Sequence, residues 1–284
     1  MSNRKTGARD PGANLYALLA AHFPADRDGC CIETQDGLRY SWSDVERASA
    51  MLASLLARLR LPKGARVAVQ VEKSPEALLL YLATLRAGYV YLPLNTAYQE
   101  AEMDYFIGNA EPSVVVCSPR NQPWVAKLAA RHEVAHLFTL GEARDGTLLQ
   151  AAAACEDRFE TVHRAPGDLA AILYTSGTTG RSKGAMLSHD NLASNALVLH
   201  RYWRWRPGDV LLHALPIFHV HGLFVASHGA LLNGSTMLWL PRFDPKAMIE
   251  RLPRATVFMG VPTMYVRLLD DPGFDAEACR NMRL

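Results

Sequence analysis

Apolar positions along the chain alternate between two rhythms, a spacing of three to four residues and short unbroken runs of β-branched residues. Val45, Ala48, Leu52, Leu55, Leu56 and Leu59 recur at helical spacing and predict a helix with one buried face. Ser43-Asp44-Val45-Glu46 reads as the capping box that opens it, and Pro62 and Gly64 stop it. An earlier helix is predicted over 15–22. The run 67–71 reads as a buried strand. Ser74-Pro75 then caps and starts a helix that Gly88 ends, before a strand over 89–92. Helices over 99–109 and 123–131 alternate with strands over 113–117 and 136–139. Repeated strand–helix–strand units predict an α/β fold with largely parallel sheets covered by helices.

An Ala-rich helical stretch over 148–155 gives way to a polar segment, 156–168, that contains Pro166-Gly167. The pattern therefore divides the chain into an N-terminal α/β subdomain, residues 1–165, and a second α/β subdomain, residues 166–284. The second region repeats the logic with a strand over 169–174, a glycine-rich loop and a helix over 190–202. A strand over 210–213, a helix from Gly222 and a strand over 236–240 follow. Asp244-Pro245 caps the next helix, a strand spans 256–259, and a last helix is predicted over 263–269. Residues 280–284 read as the approach to a further strand, so this subdomain is expected to be incomplete at its C-terminal end.

With 284 residues, 49% of them hydrophobic, the chain can bury a sizeable core. Thirty basic against 28 acidic residues leave a net charge of +2. That is too small and too dispersed for nucleic acid or an anionic membrane as main partner, and points to small molecules. Five cysteines without a Cys-x-x-Cys pair support neither a zinc site nor a disulfide framework, and fit a reducing cytosol. The basic N-terminus, with Arg4, Lys5 and Arg9, keeps a mitochondrial presequence open, while a secretory signal lacks its apolar core. No apolar run approaches the roughly 18 residues of a membrane span.

Chemistry concentrates in Tyr174-Thr-Ser-Gly-Thr-Thr-Gly-Arg-Ser-Lys-Gly184. Its hydroxyls, three glycines and two cations, without an acidic residue, suit a polyphosphate. Glycines let successive N–H groups turn inward around an anion, hydroxyls add donors, and a lysine follows the charge. The spacing is not that of a Walker A loop. Gly177 and Gly180 are too close together, and Lys183 precedes a glycine rather than following one into Ser or Thr. The motif resembles the phosphate-loop signature of the adenylate-forming superfamily, which includes acyl-CoA synthetases, peptide-synthetase adenylation domains and beetle luciferases. Similarity also runs through residues 67–98, 215–222 and 260–267, and is strongest towards the malonyl-CoA synthetases.

The resemblance implies the N-terminal domain of the adenylate-forming fold and an ATP-dependent acid–thiol ligase. Such an enzyme adenylates a carboxylate, releases pyrophosphate and passes the acyl group to coenzyme A, with ATP and Mg2+ required. It implies that Thr175, Ser176, Gly177, Thr178, Thr179, Gly180 and Lys183 hold the phosphates, with Thr179 at the metal and Lys183 assisting departure of pyrophosphate. In Leu215-Pro-Ile-Phe-His-Val-His-Gly222, His219 is similar to the family histidine beside the reacting carboxylate. A metal site at His219 and His221 has no acidic or cysteine partner nearby. Arg267, one turn into the last helix, is similar to the arginine by which malonyl-CoA synthetases take a second carboxylate, so malonate or methylmalonate is the implied acid. Arg283 is a second candidate for the same task. The family's Tyr-Gly-x-Thr-Glu and Thr-Gly-Asp motifs and its C-terminal lid domain have no counterpart in residues 1–284, so this chain alone is expected not to complete acyl-CoA synthesis. Another acyl-CoA synthetase or adenylation domain, and a non-catalytic nucleotide-binding or interaction module, are the alternatives.

Overall fold

The computed structural model describes residues 11–175 and 181–284. Two twisted sheets, each nearly all parallel, carry the fold. The first runs β6 (His136–Thr139), β5 (Val114–Cys117), β3 (Arg66–Gln70), β4 (Val90–Pro93), β7 (Leu169–Thr175) and β8 (Lys183–Ser188), and only β7–β8 is antiparallel. The second runs β11 (Val257–Phe258), β9 (Val210–His213), β10 (Thr236–Trp239), β1 (Cys30–Thr34) and β2 (Arg39–Ser41), with only β1–β2 antiparallel. The alternation therefore reads correctly as an α/β fold with mostly parallel sheets.

α3 (Pro75–Arg86) ties the two layers together. Its sequence, PEALLLYLATLR, is apolar almost all round, and every one of its residues is buried. Ser74 caps it by accepting the Ala77 N–H at 3.1 Å, and Pro75 gives up a donor that the first turn cannot use. Tyr81 meets Tyr91 of β4 edge-on at 5.0 Å. On the other side its hydroxyl lies 2.7 Å from Nε2 of His228, which begins α8 (His228–Asn233), the helix between β9 and β10 of the second sheet.

Three local readings change. The N-terminal segment forms the hairpin β1–β2, whose turn contains Asp36-Gly37 with Gly37 at φ 86°, where a side chain would be strained. The cap of α2 (Trp42–Arg58) is Ser41 rather than Ser43. Ser41 Oγ accepts the Asp44 N–H at 3.0 Å and Asp44 accepts the Ser41 N–H at 2.9 Å, because β2 ends at Ser41 with the extended backbone a cap requires. The chain after the phosphate loop returns as β8 before α7 (His189–Tyr202) begins.

These strands also exchange across the boundary expected near residue 165. β1 and β2 join the second sheet, and β7 and β8 join the first. At the far edge, the Leu284 N–H donates to Thr256 O at 3.1 Å and Leu284 O accepts the Phe258 N–H at 2.8 Å, the bonding of a parallel ladder beside β11.

Candidate active site

In parallel sheets, ligand-holding loops leave the carboxyl ends of the strands. Two candidate loops do so here, after β7 and after β9, and a third segment with α10 (Pro262–Leu269) follows β11.

The phosphate loop joins two antiparallel strands, with Thr175 paired to Lys183. Both are exposed, and among the described residues no carboxylate lies within ion-pair distance of Lys183. Ser176, Gly177, Thr178, Thr179 and Gly180 lie outside the described residues. α4 (Glu100–Ala110) braces the base of the hairpin. Tyr105 donates to Ser182 O at 2.7 Å, the Arg181 guanidinium lies 5.7 Å over the Tyr105 ring, and Phe106 packs on Tyr174 at 4.4 Å. These contacts fix where the returning strand starts and hence where Lys183 begins its reach.

The segment after β9 holds His219. A π-helical turn, His221–Ser227, continues into α8. Such wide turns recur at functional sites. His219 is exposed beside Phe218, with ring centroids 4.6 Å apart, and its carbonyl accepts the Leu223 N–H at 3.0 Å. Partial burial lowers the imidazoles of His219 and His221 below their ordinary value, which favours the neutral rings. Among the described residues no group of three or more His, Cys, Asp or Glu could hold a metal ion. Gly222 closes the loop, since a Cβ there would stand 2.1 Å from Pro216 O. Gly222→Ala is therefore expected to cost about 2 kcal/mol or more, by overpacking against backbone that cannot yield. A urea midpoint equal to that of the parent would show that the loop is not closed in this way.

Arg267 is exposed on α10, its guanidinium 5.0 Å from the centre of the Phe243 ring. Among the described residues it has no carboxylate partner. A guanidinium stacked on an aromatic face keeps its in-plane donors open to an anion.

Arg283 differs from expectation. Its Nε donates to Asp209 Oδ1 at 3.1 Å and its Nη2 donates to Asp209 Oδ2. Asp209, 4% exposed, also accepts the Arg206 N–H and the Thr256 hydroxyl. Burial alone would raise its carboxyl, but the Arg283 guanidinium and these donors hold it below the usual range. Asp209 precedes β9 whereas His219 follows it, so the ion pair lies at the opposite end of the strand. Arg283 thus pairs with the framework of the sheet through Nε and Nη2.

The sequence profile of the AMP-binding enzyme family matches residues 20–283. The chain belongs to that family. It is 53% identical to ATP-bound MatB from Rhodopseudomonas palustris, with a TM-score of 0.92 over 96% of this chain and 54% of that one. The mitochondrial malonate–CoA ligase of Bos taurus is 30% identical over 269 residues, 91% of this chain and 45% of its own. Feruloyl-CoA synthase of Amycolatopsis is 30% identical over 273 residues, 94% of this chain and 51% of its own. The chain thus spans about half the length of these relatives.

Family membership explains the run of elements, but two buried residues beside the His219 loop carry no sequence signal of their own. Lys73 follows β3 in a stretch that reads as a helix start, and His213 ends β9 as one of several nearby histidines. A lysine beside Ser-Pro is ordinarily a solvated one, so only the three-dimensional packing reveals that Lys73 is 9% exposed.

Proposed function

We propose that this chain carries the phosphate-holding and acid-selecting part of an AMP-forming acid–thiol ligase whose acid is malonate or methylmalonate. In the first step a carboxylate oxygen attacks the α-phosphorus of ATP, the bond to the bridging oxygen breaks, and pyrophosphate leaves. In the second the thiolate of coenzyme A attacks the acyl carbon and AMP leaves. The leaving pyrophosphate gathers negative charge, which calls for donors already in place. The Lys183 ammonium at the mouth of the hairpin, Thr175 opposite it, and Ser176, Gly177, Thr178, Thr179 and Gly180 between them are the groups assigned to it. A magnesium ion brought with ATP would neutralise further phosphate charge, with the Thr179 hydroxyl as its protein contact. His219, with its ring neutral, is assigned to orienting the attacking carboxylate.

The observation that carries the choice of acid is Arg267, a stacked guanidinium without an acidic partner among the described residues, on the helix that follows β11. A second carboxylate supplies that partner. The similarity to MatB and to a malonate–CoA ligase supports the same choice. The similarity to a feruloyl-CoA synthase supports a second reading, another acyl-CoA synthetase, but an aromatic monocarboxylate leaves Arg267 without work.

The phosphate assignment is tested on this chain by ATP binding. Lys183→Ala is expected to weaken binding about tenfold, the usual worth of one charge-assisted hydrogen bond. Equal affinity in equilibrium dialysis would remove Lys183 from the phosphate site.

A further inference from the structure

The loop with His219 is held from behind by a buried polar chain that starts in the other sheet. Lys73 leaves the carboxyl end of β3, and its Nζ lies 2.8 Å from His213 O, 2.8 Å from Leu240 O and 3.0 Å from His213 Nδ1, over the Trp239 ring at 4.4 Å. An ammonium has three donors, and here three acceptors face it. His213 Nδ1 therefore accepts, and the one proton of the neutral imidazole sits on Nε2. That proton points at Gly222 O, 3.1 Å away, and Ser227 Oγ, 3.0 Å away. Ser227 Oγ also donates to Gly222 O at 2.9 Å. Two side-chain donors thus compete with the helix for one carbonyl, which fits the widening of His221–Ser227 into a π turn.

Gly222 in turn fixes the loop. Its Cα lies against Pro216 O, and the next residue, Leu223, binds the His219 carbonyl. We propose that Lys73 and His213 are positioning residues, which transmit the seating of one sheet on the other, through the Gly222 carbonyl, to His219. This rests on reading His219 as the group beside the reacting acid. Burial, with the Lys73 charge beside it, holds His213 well below its ordinary value, so the ring stays neutral and its tautomer is set by Lys73. Burial also pushes the Lys73 ammonium down, and among the described residues no carboxylate pairs with it. What favours the charged form is the set of three acceptors and the indole face.

The test is nitrogen NMR of the histidine rings in this chain, which needs neither substrate nor turnover. His213 is expected as the Nε2–H tautomer, without titrating between about pH 6 and 8. In Lys73→Met, His219 is expected to shift its ring resonances and to titrate at the ordinary value near 6.5 rather than below it. His213→Gln, which keeps an N–H for Gly222, is expected to leave His219 as in the parent. An Nδ1–H tautomer for His213 in the parent chain overturns the proposal even if Lys73→Met fails to fold. His219 resonances unmoved in a folded Lys73→Met overturn it as well. Neither result bears on which acid Arg267 selects, so the acid assignment and this proposal can fail separately.

Discussion

Lowering the pH from 7 to 4 is expected to cost this chain about 6 kcal/mol of stability, through two buried histidines. His189 is fully buried, with Nδ1 accepting the Leu15 N–H at 3.0 Å and Nε2 without a partner among the described residues. Burial, aided by the nearby Arg164 charge, lowers it to about 4. His228 is equally buried, bonded through Nε2 to the Tyr81 hydroxyl, and burial lowers it to about 3. Both folded values lie below the ordinary 6.5. The unfolded chain therefore takes up protons that the folded chain refuses, so stability is complete above 6.5 and is lost as pH falls towards the folded values. His213 acts in the same direction. Since domains hold only about 5–15 kcal/mol in all, the loss is a large share of the total. Urea midpoints read by circular dichroism at several pH values measure it, and His228→Gln, which keeps a partner for Tyr81, is expected to remove about half of the slope. A midpoint flat from pH 7 to 4 would show that these rings reach water.

Arg267→Ala is expected to lower kcat/KM for malonate by roughly 100-fold, close to 3 kcal/mol of transition-state binding, while a monocarboxylate of similar size changes by less than about threefold. The asymmetry follows from the geometry. The guanidinium lies over Phe243 without an acidic partner among the described residues, and the proposed second carboxylate would supply one. Removing it takes away the cation that a second carboxylate pairs with, whereas an acid with a methyl in the same place loses no such partner. The assay is pyrophosphate release by a chimera in which this chain replaces the matching half of MatB. Equal losses for both acids would place Arg267 in the fold or in ATP binding rather than in acid choice.

Elements with a buried stripe and fully buried ones were legible in the sequence, because burial on one face leaves a period, as in α2, and burial on both leaves an unbroken apolar run, as in β3, β5 and most of α3. β8 was not legible. It is an edge strand whose Met186 is 66% exposed, so neither face had to be apolar and no alternation marks it. β1 and β2 were missed although Asp36-Gly37 carries a hairpin signal, because the flanking runs are short and one opens on two adjacent free cysteines. Within the site, the phosphate loop and His219 stood out by composition and resemblance. Lys73 did not, since its role depends on two carbonyls and a ring supplied by strands more than a hundred residues away. Arg283 misled for the converse reason, because the aspartate that occupies it precedes another strand.

The central claim is that this chain holds the phosphates of ATP and selects a dicarboxylate. It is tested most directly by the specificity of the unmutated chimera, measured as pyrophosphate release with malonate against butanoate under saturating ATP. A preference for malonate of roughly 100-fold or more is expected. A folded, ATP-binding chimera that uses the two acids equally would contradict it.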